Sequence, residues 1–108
     1  MSETGATPVL TSADCVLVRT SATVATTVHR EGAHLVVHFL QPGGVTRWMW
    51  PCEVVAAALR HPGTVSGDDA VHVVADPDTA DLVVTLDGAE GSVLLAVPGD
   101  AVRTALSR

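Results

Sequence analysis

TRWMWPCEVVAAALRHPG, residues 46–63, changes its period in mid-course. Up to Trp50 the side chains alternate, with Thr46, Trp48 and Trp50 on one side and Val45, Arg47 and Met49 on the other, which is the period of a strand. From Pro51 the spacing becomes three and four: Cys52, Val55, Ala56 and Leu59 make an apolar stripe, the period of a helix. Pro51 suits the first turn of that helix, where its missing N–H costs nothing. Glu53 follows at the end where the helix dipole favours an anion, and Arg60 stands at the end that favours a cation. Pro62 cannot continue a helix and pushes His61 out of helical geometry, so the helix stops there. A strand therefore runs directly into a helix at Pro51.

Upstream, CVLVRT and ATVATTVH are rich in β-branched residues. HREG then reads as a hairpin turn, with Gly32 free to adopt a positive φ. HLVVHFL places Leu35, Val37 and Phe39 opposite His34, Val36, His38 and Leu40, and QPGG turns the chain into VTRWMW. Four antiparallel strands thus precede the first helix. Downstream, TVSGDD reads as a turn. AVHVVA follows with Val71, Val73 and Ala75 aligned, and DLVVTL with Leu82, Val84 and Leu86 aligned. DGAEG is a hairpin signal leading into SVLLAV. PGDAVRTALSR closes as a helix with Val102, Ala105 and Leu106 inward. The expected order is ββββ-α-βββ-α, an α+β fold of antiparallel strands with two helices, in a single domain spanning 14–108 after a flexible lead-in at 1–13.

At 108 residues with 47% hydrophobic side chains, the chain can build a core without a metal or a disulfide. A domain of this size leaves much surface unburied, and oligomerisation would bury more. The net charge of −6 comes from 12 acidic and 6 basic side chains and opposes binding to a phosphate backbone. The basic residues are all arginine, Tyr is absent and Phe39 is the one phenylalanine, which leaves little for base stacking. The first residues lack the charged and apolar regions of a signal peptide. No apolar run reaches the roughly 20 residues of a membrane span. A cytoplasmic protein without membrane insertion is expected, with Cys15 and Cys52 as buried thiols.

No catalytic, cofactor or metal site emerges. The histidines lack metal-ligand spacing; His34 and His38 on one strand would stand about 13 Å apart. Cys52 opens a helix, but His61 lies at its far end. Asp68 with Asp69 and Asp76 with Asp78 fall in turns, where aspartate is favoured for backbone reasons. The tryptophans raise the sharper question. On one strand face, Trp48 and Trp50 either roof the core under a helix or stand open as an association surface. With His34 and His38 on the neighbouring strand, they are the candidate protein contacts. A pocket near Cys52 and the tryptophans would make the chain a small-molecule-binding domain instead.

RWMWPCEVVAAALRHPG, then GDDAVHVV, then GSVLLAVPGDAVRTALSR resemble, in that order, the SsgA-like family of actinomycete sporulation and cell-division regulators. Trp48, Trp50, Glu53, Leu59 and Pro62 fall on the family pattern, followed by Gly67, Asp69, Val71, Gly91, Leu95 and Pro98. DCVLVRTSA resembles the family's opening strand and HLVVHFLQPGG its third, so the likeness covers roughly 14–108. Trp50, Pro51 and Cys52 stand where family members generally resemble Phe-Ala-Arg, and HREG shortens the connection between the second and third strands. The resemblance implies a Whirly-like topology, a homotrimer and no catalysis. It implies a role at division septa through contacts with FtsZ or other septal proteins. Whirly-like topology also admits single-stranded nucleic-acid binding, which the charge opposes.

Overall fold

Alternation in the first half of the chain and β-branched runs in the second produce strands wherever one face can be buried, and proline opens both helices. The computed structural model describes residues 10–67, 70–88 and 91–107. Its elements are β1 (Thr11–Leu17), β2 (Thr23–Glu31), β3 (His34–Gln41), β4 (Gly44–Pro51), α1 (Cys52–Arg60), β5 (Ser66–Gly67), β6 (Val71–Ala75), β7 (Leu82–Gly88), β8 (Gly91–Val97) and α2 (Gly99–Leu106). The order is therefore ββββ-α-ββββ-α among the described residues, one strand more than the sequence pattern predicts. The addition is β5, which pairs Ser66 with Val73 and Gly67 with His72. A two-residue strand has no alternation to read, so TVSGDD looks like a turn.

The start of β1 also differs from expectation. It begins at Thr11, inside the stretch expected as a flexible lead-in at 1–13, with Thr11, Ser12 and Ala13 opposite Val28, Thr27 and Thr26. Small polar residues hide a strand whose stability comes from its neighbour. Residues 1–9 of that lead-in, the acidic pair Asp68 and Asp69, the turn at 89–90 and Arg108 lie outside the described residues.

The strands form one antiparallel sheet in the order β4-β3-β2-β1-β8-β7-β6-β5. Each half is a four-stranded meander followed by a helix, in the Whirly-like arrangement. The halves join along β1 and β8 at Val16 with Ala96 and Leu17 with Leu95. The helices cross over this seam. α1 follows the first half yet packs on β5 and β6 as well as β4, and α2 follows the second half yet packs on β1 and β2. Hydrogen bonds fix the crossings: Cys52 N–H donates to Ala33 O at 2.8 Å, and Gly63 N–H donates to Ala75 O at 2.9 Å. Arg30 Nη1 donates to Leu106 O at 2.8 Å, tying the end of α2 to β2.

The core lies between the inner face of the curled sheet and the two helices. Val71, Val73 and Ala75, and Leu82, Val84 and Leu86, are buried as their alternation predicts. Trp50 pairs with Leu35, is 0% exposed, and leans on Phe39 with ring centroids 6.4 Å apart. In α1 the buried residues are Cys52, Val55 and Ala58, with Ala56 and Leu59 half-buried, so the inward stripe is turned towards Ala58 from the one read in sequence. In α2, Gly99, Ala101, Val102 and Ala105 are buried and Leu106 is half-buried. Small residues on both helices let their backbones approach the sheet closely.

Gly99 makes its own close approach, to the turn between β6 and β7. A Cβ added there would stand 2.1 Å from Ala80 O and 3.0 Å from Arg103 Nη1. Gly99→Ala should therefore destabilise the fold by about 1–3 kcal/mol, as overpacking does, despite alanine's better helix propensity. At Gly43 an added Cβ meets nothing within 4 Å. Gly43→Ala should stay within about 0.5 kcal/mol of the parent. Urea unfolding of the two variants checks the contrast, and equal midpoints would refute it.

Candidate functional site

The register of the β3–β4 hairpin decides where each candidate contact residue points. Leu35 faces Trp50, Val37 faces Trp48 and Phe39 faces Thr46; between them His34 faces Pro51, Val36 faces Met49, His38 faces Arg47 and Leu40 faces Val45. Alternation sends the first set to the inner face and the second to the outer face. Trp48 and Trp50 thus share the inner face, while His34 and His38 share the outer one. The four do not form one surface. Trp50 is sealed in the core, and its indole N–H has no hydrogen-bond partner there. No partner can touch it, so this candidate is corrected to a core residue: α1 and the second half of the sheet close over it. Trp48 is half-buried at the open end of the same face.

The outer face holds an arrangement that spacing along the chain does not reveal. His29 on β2 lies opposite Val36, and its ring stacks on His38 with centroids 5.9 Å apart and planes 14° from parallel. His29 Nε2 lies 2.6 Å from Glu31 Oε2. This hydrogen bond, with the positive potential of His29, Arg47 and His38, holds the Glu31 carboxyl below its ordinary range. Val36 is fully buried on this otherwise open face. Around this group, Leu40, Val45 and Met49 are 42%, 61% and 44% exposed. Leu40 and Val45 are direct cross-strand partners and form one exposed apolar pair, separated from Met49 by the His38–Arg47 pair. His29 was legible as a strand residue; its place beside His38 required the β2–β3 register.

On the inner face a groove of about 330 Å³ opens where the two halves of the sheet meet. Leu17, Val24, Phe39 and Trp48 line it from the first half and Leu86, Val93 and Leu95 from the second, with Gln41, Thr46 and Ser92 as its polar members. A second hollow, beside Cys52, is lined by Arg30, Ala33, His34, Pro51 and Glu53. The expected pocket near both Cys52 and the tryptophans is thus two separate places, because Trp50 and the start of α1 fill the space between them.

The remaining chemistry is structural. Cys15 and Cys52 are free and buried. Burial pushes the Cys15 thiol up, against a smaller opposing effect of its hydrogen bond with Thr26. Asp76 Oδ1 accepts the backbone N–H groups of Asp78 and Thr79, at 2.8 and 3.3 Å, in the turn before β7. Among the described residues no group of three or more His, Cys, Asp or Glu side chains could hold a metal ion. No described helix is long and apolar enough to cross a membrane.

No protein-family model and no curated protein matches this sequence. A solved structure does match, that of SsgB from work in which mutations in SsgB correlate to longitudinal cell division during sporulation of Streptomyces coelicolor. The superposition has a TM-score of 0.80 and covers 94% of this chain and 85% of that one, at 21% sequence identity. This chain has an SsgB-like fold. At that identity the likeness is one of architecture, while most side chains differ.

Two measurements follow from the site. A carboxyl with a depressed folded pKa contributes stability above its unfolded pKa and loses it as pH falls through the folded value. Between about pH 5 and pH 3 the parent should lose more thermal stability than Glu31→Gln, since Glu31 belongs to the ordinary carboxylate range when unfolded. Parallel melting curves for the two proteins across that range would contradict the pairing. Both thiols should resist an aromatic disulfide reagent in the native protein and react fully in denaturant, because both are buried out of its reach.

Proposed function

We propose that the protein is a non-enzymatic, oligomeric adaptor or regulator of cell division and sporulation septation that acts through protein–protein contacts. The observation that carries this reading is the outer face of the β3–β4 hairpin, where exposed Leu40 and Val45 on one side and exposed Met49 on the other flank the His38–Arg47 pair, with His34 beyond. An apolar strip bordered by polar and cationic groups is the composition of a protein-binding surface. The SsgB-like fold supplies the biological setting, since SsgB mutations correlate to longitudinal cell division during sporulation. His34 and His38 belong to the contact surface in this reading; Trp48 lies on the other face.

The assembly is a homotrimer, and its partner is FtsZ or another septal protein, to which a cytoplasmic adaptor would be recruited at the division site. Three equivalent weak surfaces presented together gain avidity over one. A single-stranded nucleic-acid role has less support. Beyond the net charge of −6, Arg30 is engaged by the carbonyls of Gly32 and Leu106, and Arg103 lies 3.8 Å from Asp100. A stacking groove for bases needs free cations along it.

Light scattering at several protein concentrations should give a mass near three times 11.1 kDa; a monomer throughout would remove the trimer. The double variant Val45→Glu with Met49→Glu should keep the fold, because both side chains are exposed, and should weaken capture of FtsZ by at least tenfold, equivalent to about 1.4 kcal/mol. Undiminished capture by the folded variant would exclude this face.

A further inference from the structure

We infer that the inner groove at the junction of the two half-sheets binds a neutral, mainly apolar small molecule that carries one hydrogen-bond acceptor. The inference stands apart from the adaptor reading, since the groove opens on the face of the hairpin opposite to the proposed partner surface.

Its volume of about 330 Å³ reaches the range of small-molecule sites, from roughly 300 Å³ upward. Its place follows from the topology. Where β1 and β8 meet, the pairing is short, Val16 with Ala96 and Leu17 with Leu95 followed by the hydrogen bond from Val18 N–H to Leu94 O at 3.0 Å, and no helix is among the described elements lining the opening. The far end of the same inner face is filled by Trp50 and by Val55 and Ala58 of α1. At the groove the corresponding space is left to solvent, and half-buried Trp48 and Val24 stand with exposed Val93 at its edge.

Charge decides the class of ligand. The chain has 12 acidic and 6 basic side chains, yet among the described residues none that lines the groove is ionisable. A carboxylate or ammonium entering it would lose part of its hydration and find no counter-charge among the described lining residues, which disfavours ionic ligands relative to neutral ones. The hollow beside Cys52, with Arg30, His34 and Glu53 in its lining, has no such selectivity.

The polar members of the groove set the ligand's one polar group. Thr46 Oγ1 donates to Gln41 Oε1 at 3.2 Å, so the Gln41 side-chain amide keeps its N–H donors. The Ser92 hydroxyl donates to Asp87 Oδ1 and is spent as a donor. Among the described side chains the donor left at the opening is thus Gln41 Nε2, which suits a carbonyl, ether or hydroxyl oxygen at the end of an apolar body.

The test uses 1-octanol, octanoate and octylammonium in calorimetric titrations of the full chain at pH 7. Octanol should bind saturably at one molecule per chain, with octanoate and octylammonium at least tenfold weaker. Val24→Phe, which fills the groove, should weaken octanol at least tenfold, and Gln41→Leu should weaken octanol several-fold while leaving binding of octane vapour, which has no acceptor, unchanged. Should Val24→Phe fail to fold, Ser92→Phe at the exposed edge serves as the filling variant. Absence of saturable octanol binding would overturn the inference. So would equal affinity for the charged analogues, or undiminished octanol affinity in a folded filling variant. None of these readouts involves a protein partner, so they are separable from failure of the adaptor proposal.

Discussion

The backbone seam between the two halves of the sheet is short, Val16 with Ala96, Leu17 with Leu95 and the bond from Val18 N–H to Leu94 O, and hydrogen bonds there cannot by themselves hold eight strands in one curved surface. The helices do it. α1 leaves the first half and buries Val55 and Ala58 against β5 and β6, while α2 leaves the second half and buries Val102 and Ala105 against β1 and β2. Each half supplies the cover that the other half needs. Burial of apolar surface is the main favourable term in folding, so neither meander has a complete core until both have formed. The small residues at Gly99, Ala101 and Ala105 are part of that constraint, since they set how near α2 lies to the sheet.

From this crossing follow the different fates of the two ends of the inner face. Trp50 lies where β4 runs into α1, and the helix that starts at Cys52 turns back over it, leaving the indole with no exposed edge. Trp48, two residues earlier on the same face, lies beyond the reach of α1 and meets the loosely closed end between β4 and β8. Identical side chains on one strand face therefore serve packing in one case and border an accessible groove in the other. The outer face carries its own cover instead of a helix: the stacked rings of His29 and His38 lie beside Val36, which is fully buried.

This division also separates the two surfaces to which roles are proposed. The hairpin presents an apolar and cationic strip outward and a neutral groove inward, and the two are joined only through the β3–β4 backbone. A contact on one side does not occupy the other. Residues that would carry acid–base or metal chemistry are instead engaged in turns and strand pairing, as with Asp76 in its turn and Glu31 on His29.

Periodicity in the sequence determined the element order around Pro51, the inward faces of β6 and β7, both helices and the α+β class, because each of these is a local pattern that one buried face imposes on consecutive residues. It also placed Trp48 and Trp50 together and His34 and His38 together. The tertiary structure decided what the pattern left open. β5 exists only because β6 lies beside it, and β1 reaches back to Thr11 only because β2 offers partners to its small polar residues. The burial of Trp50, the pairing of His29 with His38, and the groove at Trp48 depend on which distant strand or helix arrives over each residue. Register and helix crossing are long-range facts, and no spacing within a single segment encodes them.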